Sequence, residues 1–111
     1  MTITLDQFLK VQIRKGVIID AKPFPESKKP AIKLWIDFGN NIGVKKSSAQ
    51  IVDLYNPENL IGKSIIAVTN LPPLQVGKFI SEVLTLGLND NDGKIVLLEP
   101  KENIPNGSRL L

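Results

Sequence analysis

Ala31-Ile32-Lys33-Leu34-Trp35-Ile36-Asp37-Phe38 sets apolar residues at 32, 34, 36 and 38 against Lys33, Trp35 and Asp37. A period of two is that of a β-strand with one apolar and one mixed face. Gly39-Asn40-Asn41-Ile42-Gly43 follows, rich in residues that tolerate positive φ, and residues 44–48 then make the return strand. A hairpin is therefore expected in the middle of the chain, and the other segments are read around it.

Upstream, Leu5, Phe8 and Leu9 keep a helical spacing that Gln12 breaks, so one or two helical turns are expected. Thr4 is placed as the N-cap, and Gln7 three residues on completes a weak capping box. Residues 13–20 are rich in β-branched side chains and read as a strand, with Gly16 where a barrel strand bends. Pro23, Pro25 and Pro30 bracket a loop at 26–29. Downstream, residues 49–61 read as a short helical connection interrupted by Pro57 and closed by Gly62. Residues 63–70 hold a fourth strand that Pro72-Pro73 breaks, and residues 81–88 a fifth. A polar turn at 89–93 leads to a return arm at 94–99, and Asn106-Gly107 marks a last turn. Many short strands, with a helical connection between the third and fourth, describe an all-β Greek-key barrel.

The 111 residues suit a single domain: an N-terminal helical extension over 1–11, a barrel over 12–99 and a C-terminal extension over 100–111. The chain has neither cysteine nor histidine, which removes disulfides, thiolate metal sites and catalytic sets built on imidazole. Residues 1–6 lack the basic and apolar regions of a signal peptide, and no apolar run reaches the about 20 residues a bilayer requires. A cytoplasmic protein with no membrane insertion is the expectation. Residues 10–46 carry nine basic and three acidic side chains, whereas residues 47–111 carry five and seven. Such a front half offers a positive face to an anionic partner, or merely a solvated lysine-rich surface.

Enzyme chemistry has little foothold. The carboxylates of Asp37, Asp53, Glu58, Glu82, Asp90 and Asp92 show no spacing that compels a catalytic pair. Asn89-Asp90-Asn91-Asp92-Gly93 partly matches a calcium loop, but Leu88 stands at its first ligand position, so turn chemistry is the better account. No enzymatic activity, metal or cofactor is expected.

Three segments, residues 13–18, 31–39 and 60–71, together resemble the tRNA-binding domain family, which includes C-terminal appendages of methionyl-tRNA synthetases and free-standing tRNA-binding proteins. Gly43-Val44-Lys45-Lys46-Ser47-Ser48-Ala49-Gln50-Ile51, Ser81-Glu82-Val83-Leu84 and the ending Pro105-Asn106-Gly107-Ser108-Arg109 are similar to the CsaA branch of that family. The resemblance runs from about Leu5 to Arg109, nearly the whole chain. It implies a five-stranded OB-fold whose terminal extensions pair two subunits. It also implies tRNA binding for the wider family and, for the CsaA branch, a chaperone of protein export that binds unfolded or precursor polypeptides. A dimer has a physical motive as well: Leu5, Phe8, Leu9, Ile104, Leu110 and Leu111 are apolar residues outside the expected strands.

The segment Leu74-Gln75-Val76-Gly77-Lys78-Phe79-Ile80 departs from the tRNA-binding members, which carry basic residues there. Lys78 is its only charge, which suits a surface for apolar side chains held by Val76, Phe79 and Ile80. Lys33, Lys45 and Lys46 lie on adjoining strands, where lysines either keep a sheet from aggregating or steer an anionic ligand, and their match to the family's basic motif favours the ligand. Trp35 is either a stacking platform or, as expected here, part of the dimer interface. Ser47, Ser48, Asn70 and Ser81 offer hydroxyl and amide groups to a ligand, or else satisfy the barrel's own backbone. Arg14 contacts an anionic ligand or pairs with a carboxylate across the sheet; the sequence leaves both open. The expected function is peptide binding by a CsaA-like homodimer, with tRNA as the alternative ligand.

Overall fold

A computed structural model describes residues 1–111. In chain order the elements are α1 (Leu5–Leu9), β1 (Ile13–Phe24), β2 (Ala31–Asp37), β3 (Val44–Ala49), α2 (Pro57–Leu60), β4 (Ser64–Val68), β5 (Leu74–Val76), β6 (Phe79–Ser81), β7 (Leu84–Thr85), β8 (Gly87–Asn89) and β9 (Ile95–Leu97). Five strands form one antiparallel sheet in the order β3-β2-β1-β4-β7. The sheet curls until its edges meet: the Glu82 and Val83 amides both donate to the Lys46 carbonyl, and the Thr85 hydroxyl donates to Ser47 Oγ. This is the barrel expected from the strand pattern, in the OB form that the resemblance implies. No helix is long and apolar enough to cross a membrane.

The alternation over residues 31–38 is realised as written, with Ile32, Leu34, Ile36 and Phe38 buried inside the barrel and Lys33, Trp35 and Asp37 on the other face. Ile18, Ile65 and Leu60 pack against them, each fully buried. A side chain of this kind contributes about 1.5–3 kcal/mol on leaving water. Gly16 lies among these residues, and an added Cβ would sit 2.6 Å from Ile36 Cγ2. The Thr4 N-cap and its capping box with Gln7 are both formed.

Three expectations are corrected. β1 does not end at Asp20 but continues through Pro23 to Phe24. Beyond Val17 the strand pairs only with β2, so Pro23 occupies an edge where no ladder amide is required. A bulge between Ile18 and Asp20 breaks the register of β1 with β2. Pro57 does not interrupt the helix; it starts one, with Asn56 as N-cap and Asn59 completing the box. Residues 81–88 are not one strand but parts of β6, β7 and β8, because the chain leaves β4 after Leu86 to pair with β9.

The apolar segment 74–80 forms, with Ser81, a β5–β6 hairpin turning at Gly77-Lys78. Gly77 has φ +61° and Lys78 stays in the negative-φ region, the pattern of a type II′ turn. The C-terminal residues add to the sheet. The Lys15 amide donates to the Ser108 carbonyl, and the Gly107 and Leu110 amides donate to Lys15 and Ile13. The tail thereby takes the place beside β1 that β2 holds further along.

Candidate functional site

Antiparallel register decides which side chains share the outer face of the sheet. Lys33 is opposite both Lys22 and Ser48, and Trp35 is opposite both Asp20 and Lys46. Lys22, Lys33, Trp35 and Lys46 therefore lie on one face, with Phe24 at its end opposite Ala31. Lys45 is opposite Ile36 and projects from the other face, so the adjacent Lys45 and Lys46 are separated by the pleat.

The β5–β6 hairpin folds over this face. Phe79 meets Phe24 edge-on at 5.5 Å and Trp35 at 5.9 Å between centroids, and is only 8% exposed. Phe24, Ala31 and Phe79 form a second small core, with Val76 and Trp35 packed against it. Three ammonium groups sit over its rings: Lys33 at 4.7 Å from Phe24, Lys46 at 5.2 Å from Phe79 and Lys22 at 5.4 Å from Trp35. Each such contact is worth about 0.5–1 kcal/mol where water reaches it. Beside the rings opens a cleft of about 510 Å³, lined by Phe24, Glu26, Lys33, Gly77, Lys78 and Phe79. Its chemistry is an apolar floor with a mainly cationic rim, suited to an apolar group that carries or adjoins negative charge.

Phe24, Glu26 and Gly77 were absent from the candidates read in the sequence. Phe24 had a legible signal: it continues the alternation of Asp20 and Lys22 on the outer face, beyond a proline expected to end the strand. Ile80 faces away from the cleft, opposite Gln75, and is 42% exposed.

Most of the polar candidates lie elsewhere and are used within the chain, whereas Ser48 is opposite Lys33 on the outer face and bonds through its backbone amide. Ser47 is 1% exposed; its hydroxyl donates to the Val83 carbonyl and accepts from Thr85. Ser81 Oγ accepts from the Ser48 amide, joining β3 to the hairpin. Asn70 accepts from the Gln12 amide and donates to the Lys10 carbonyl, tying down the chain after α1. Arg14 donates to the Gly107 carbonyl at the opposite end of β1 from Phe24. Trp35 packs on Phe79 within its own chain. Leu5, Phe8, Leu9, Leu110 and Leu111 are exposed and Ile104 is half-buried; α1 buries no side chain. No group of three histidine, cysteine, aspartate or glutamate side chains is placed to hold a metal ion.

Comparison with known proteins agrees with this architecture. Residues 13–109 match the family model described as "Putative tRNA binding domain". The chain is 46% identical to chaperone CsaA from Bacillus anthracis strain Ames, whose crystal structure superposes with a TM-score of 0.93 over 100% of both chains. A crystal structure of a CsaA chaperone protein from Picrophilus torridus is 48% identical, with a TM-score of 0.92 over 99% of this chain and 100% of that one. The methionine–tRNA ligase of Methanocaldococcus jannaschii is 33% identical over 101 residues, which span 91% of this chain but 15% of that enzyme. The chain thus corresponds to a small part of the curated ligases it matches. With the motifs, the barrel and these likenesses in agreement, the chain belongs to the tRNA-binding domain family, in its CsaA branch.

Proposed function

We propose that this protein is a non-enzymatic, CsaA-like chaperone that binds unfolded or precursor polypeptides for export, acting as a homodimer in the cytoplasm. The observation that carries the reading is the cleft beside Phe24 and Phe79, where Lys33 and Lys78 meet an aromatic floor. An extended polypeptide presents the matching chemistry: apolar side chains for the floor and backbone or acidic groups for the lysines. The β5–β6 hairpin adds exposed apolar side chains at Leu74 and Ile80. The likeness to two CsaA chaperones over the full chain supports the same reading. The exposed apolar residues of α1 and the C-terminus supply a surface for the second subunit.

A second reading, structure-dependent tRNA binding, is favoured by the family match and by Lys22, Lys33 and Lys46 sharing one face. Titration of the protein against an unfolded precursor peptide and against folded tRNA, at low and high salt, separates the two. Peptide binding that survives salt supports the chaperone, because apolar burial is little affected by screening. Tight tRNA binding that falls steeply with salt, without peptide affinity, reverses the assignment.

A further inference from the structure

At the far end of β1 from the aromatic cleft, a second concavity of about 440 Å³ is lined by Arg14, Phe38, Asn40, Asn41, Ile42, Asn106 and Gly107. Its polar side chains are one guanidinium and three carboxamides, with no carboxylate among them. The cations here are uncompensated. Arg14 donates through Nη1 to the Gly107 carbonyl at 2.8 Å, while its Nε–H is buried and has no acceptor within the chain. Lys15, only 7% exposed, donates to Asn106 Oδ1 at 2.7 Å. Neither takes part in an ion pair; the chain's one salt bridge joins Lys63 to Glu99. Buried cationic groups are ordinarily paired, because desolvation without a counter-charge is costly.

The backbone explains how this concavity is held. Gly39 and Gly107 both adopt positive φ, and a Cβ on either would collide with the neighbouring segment, at Asn106 O and Phe38 O respectively. The β2–β3 loop and the C-terminal turn are thus packed backbone to backbone. That contact places the Asn40–Asn41 loop beside Asn106 over Arg14. With Asn106 Oδ1 committed to Lys15, its Nδ2 is left as a donor.

We propose that this concavity is a binding site for a small phosphoryl oxyanion, either inorganic phosphate or the phosphate group of a small phosphomonoester. The Arg14 guanidinium and the carboxamide of Asn106 are the inner donors, Asn40 and Asn41 close the mouth, and Lys15 supplies charge from behind Asn106. The site is independent of the peptide or tRNA cleft, whose residues it does not share.

The chain has two arginines, so its side-chain Nε–H spectrum in a ¹⁵N-labelled sample holds two signals, assigned with Arg109→Lys. Inorganic phosphate and adenosine monophosphate are titrated separately, each against sodium chloride at matched ionic strength. The expected result is a saturable shift of the Arg14 signal with phosphate, beyond any chloride effect. Equal affinity for the two probes identifies the phosphoryl group as the whole ligand, whereas tighter nucleotide binding identifies a phosphomonoester. Asn106→Asp keeps the acceptor for Lys15 and turns the remaining donor into a negative oxygen. Asn41→Asp does the same to an exposed loop residue. Each is expected to weaken phosphate binding about tenfold or more while the protein stays folded. An Arg14 signal that stays still, or that moves equally with chloride, overturns the proposal. So does phosphate affinity unchanged in both aspartate variants.

Discussion

The Phe79 ring stands edge-on to the Trp35 indole, with centroids 5.9 Å apart and planes crossing at 78°. This contact turns an outward strand face into a second, roofed core. Trp35, whose strand position suggested a surface role, becomes a wall behind Phe79, and the lysines of the same face close over the rings. The ligand cleft exists because the β5–β6 hairpin lies where it does.

Phe79→Ala should therefore disturb stability and site together. Truncating a buried phenylalanine costs about 3 kcal/mol, read from the urea midpoint. Trp35 is the only tryptophan, so its fluorescence should shift to longer wavelength in the folded variant as the covering ring is lost. The milder Phe79→Leu should lower peptide affinity while the barrel remains intact. Unchanged affinity in that variant would count against the cleft.

Lys45 and Lys46 are neighbours in sequence but lie on opposite faces of β3. Lys46→Ala is expected to weaken ligand binding about threefold or more, in line with the loss of one exposed cation–π or charge contact. Lys45→Ala should have the smaller effect in the same titration. Equal losses would show that the ligand follows the charge of the segment and not the aromatic face.

Gly16→Ala places a methyl group 2.6 Å from Ile36 Cγ2 and 2.9 Å from the Phe38 ring, both deep in the barrel. Overpacking of this kind costs about 1–3 kcal/mol. Chemical denaturation of the variant should show a lower midpoint with an unchanged slope.

Asn70→Asp retains the acceptor for the Gln12 amide but loses the donor to the Lys10 carbonyl. Breaking one partner of such a bridge costs about 1 kcal/mol, and here the cost falls on the link between α1 and the barrel. Hydrogen exchange should speed up at Gln7 to Gln12 and stay unchanged at Ile36.

Leu5→Glu combined with Leu9→Glu changes two exposed residues of a helix that buries none of its side chains. The barrel should fold as before. Sedimentation should show the wild type as a dimer and this variant as a monomer; a wild-type monomer would remove the dimeric part of the proposed function.

Much of this was legible in the chain itself. The period-two pattern of residues 31–38, the glycine-rich loop after it and the Thr4–Gln7 box are local relations, and local sterics and hydrogen bonding realise them almost unaided. The same holds for the inward choice of Ile32, Leu34 and Ile36, since one face of a strand must leave water. The β5–β6 hairpin had its own local sign, a Gly77-Lys78 pair between two short alternating runs, yet each arm is too brief for periodicity to declare.

Which polar side chains remain free for a ligand was decided only by tertiary structure. Ser47 and Ser81, open in the sequence between a ligand and the barrel's own backbone, are taken up when the barrel closes and brings Val83, Thr85 and the Ser48 amide to them. Asn70 meets Gln12 and Lys10 across 58 and 60 residues of chain, a pairing that no short window contains. Arg14 was open between an anion and a carboxylate; in the fold its neighbours are Gly107 and a ring of asparagines. The sequence by itself determined the central strands and their buried faces, because those follow from the order of apolar and polar residues along one segment, and its motifs carried the resemblance to the family. The cleft, the pairing of each hydroxyl and the isolation of Arg14 follow from register between distant segments, and only closure of the sheet sets that register.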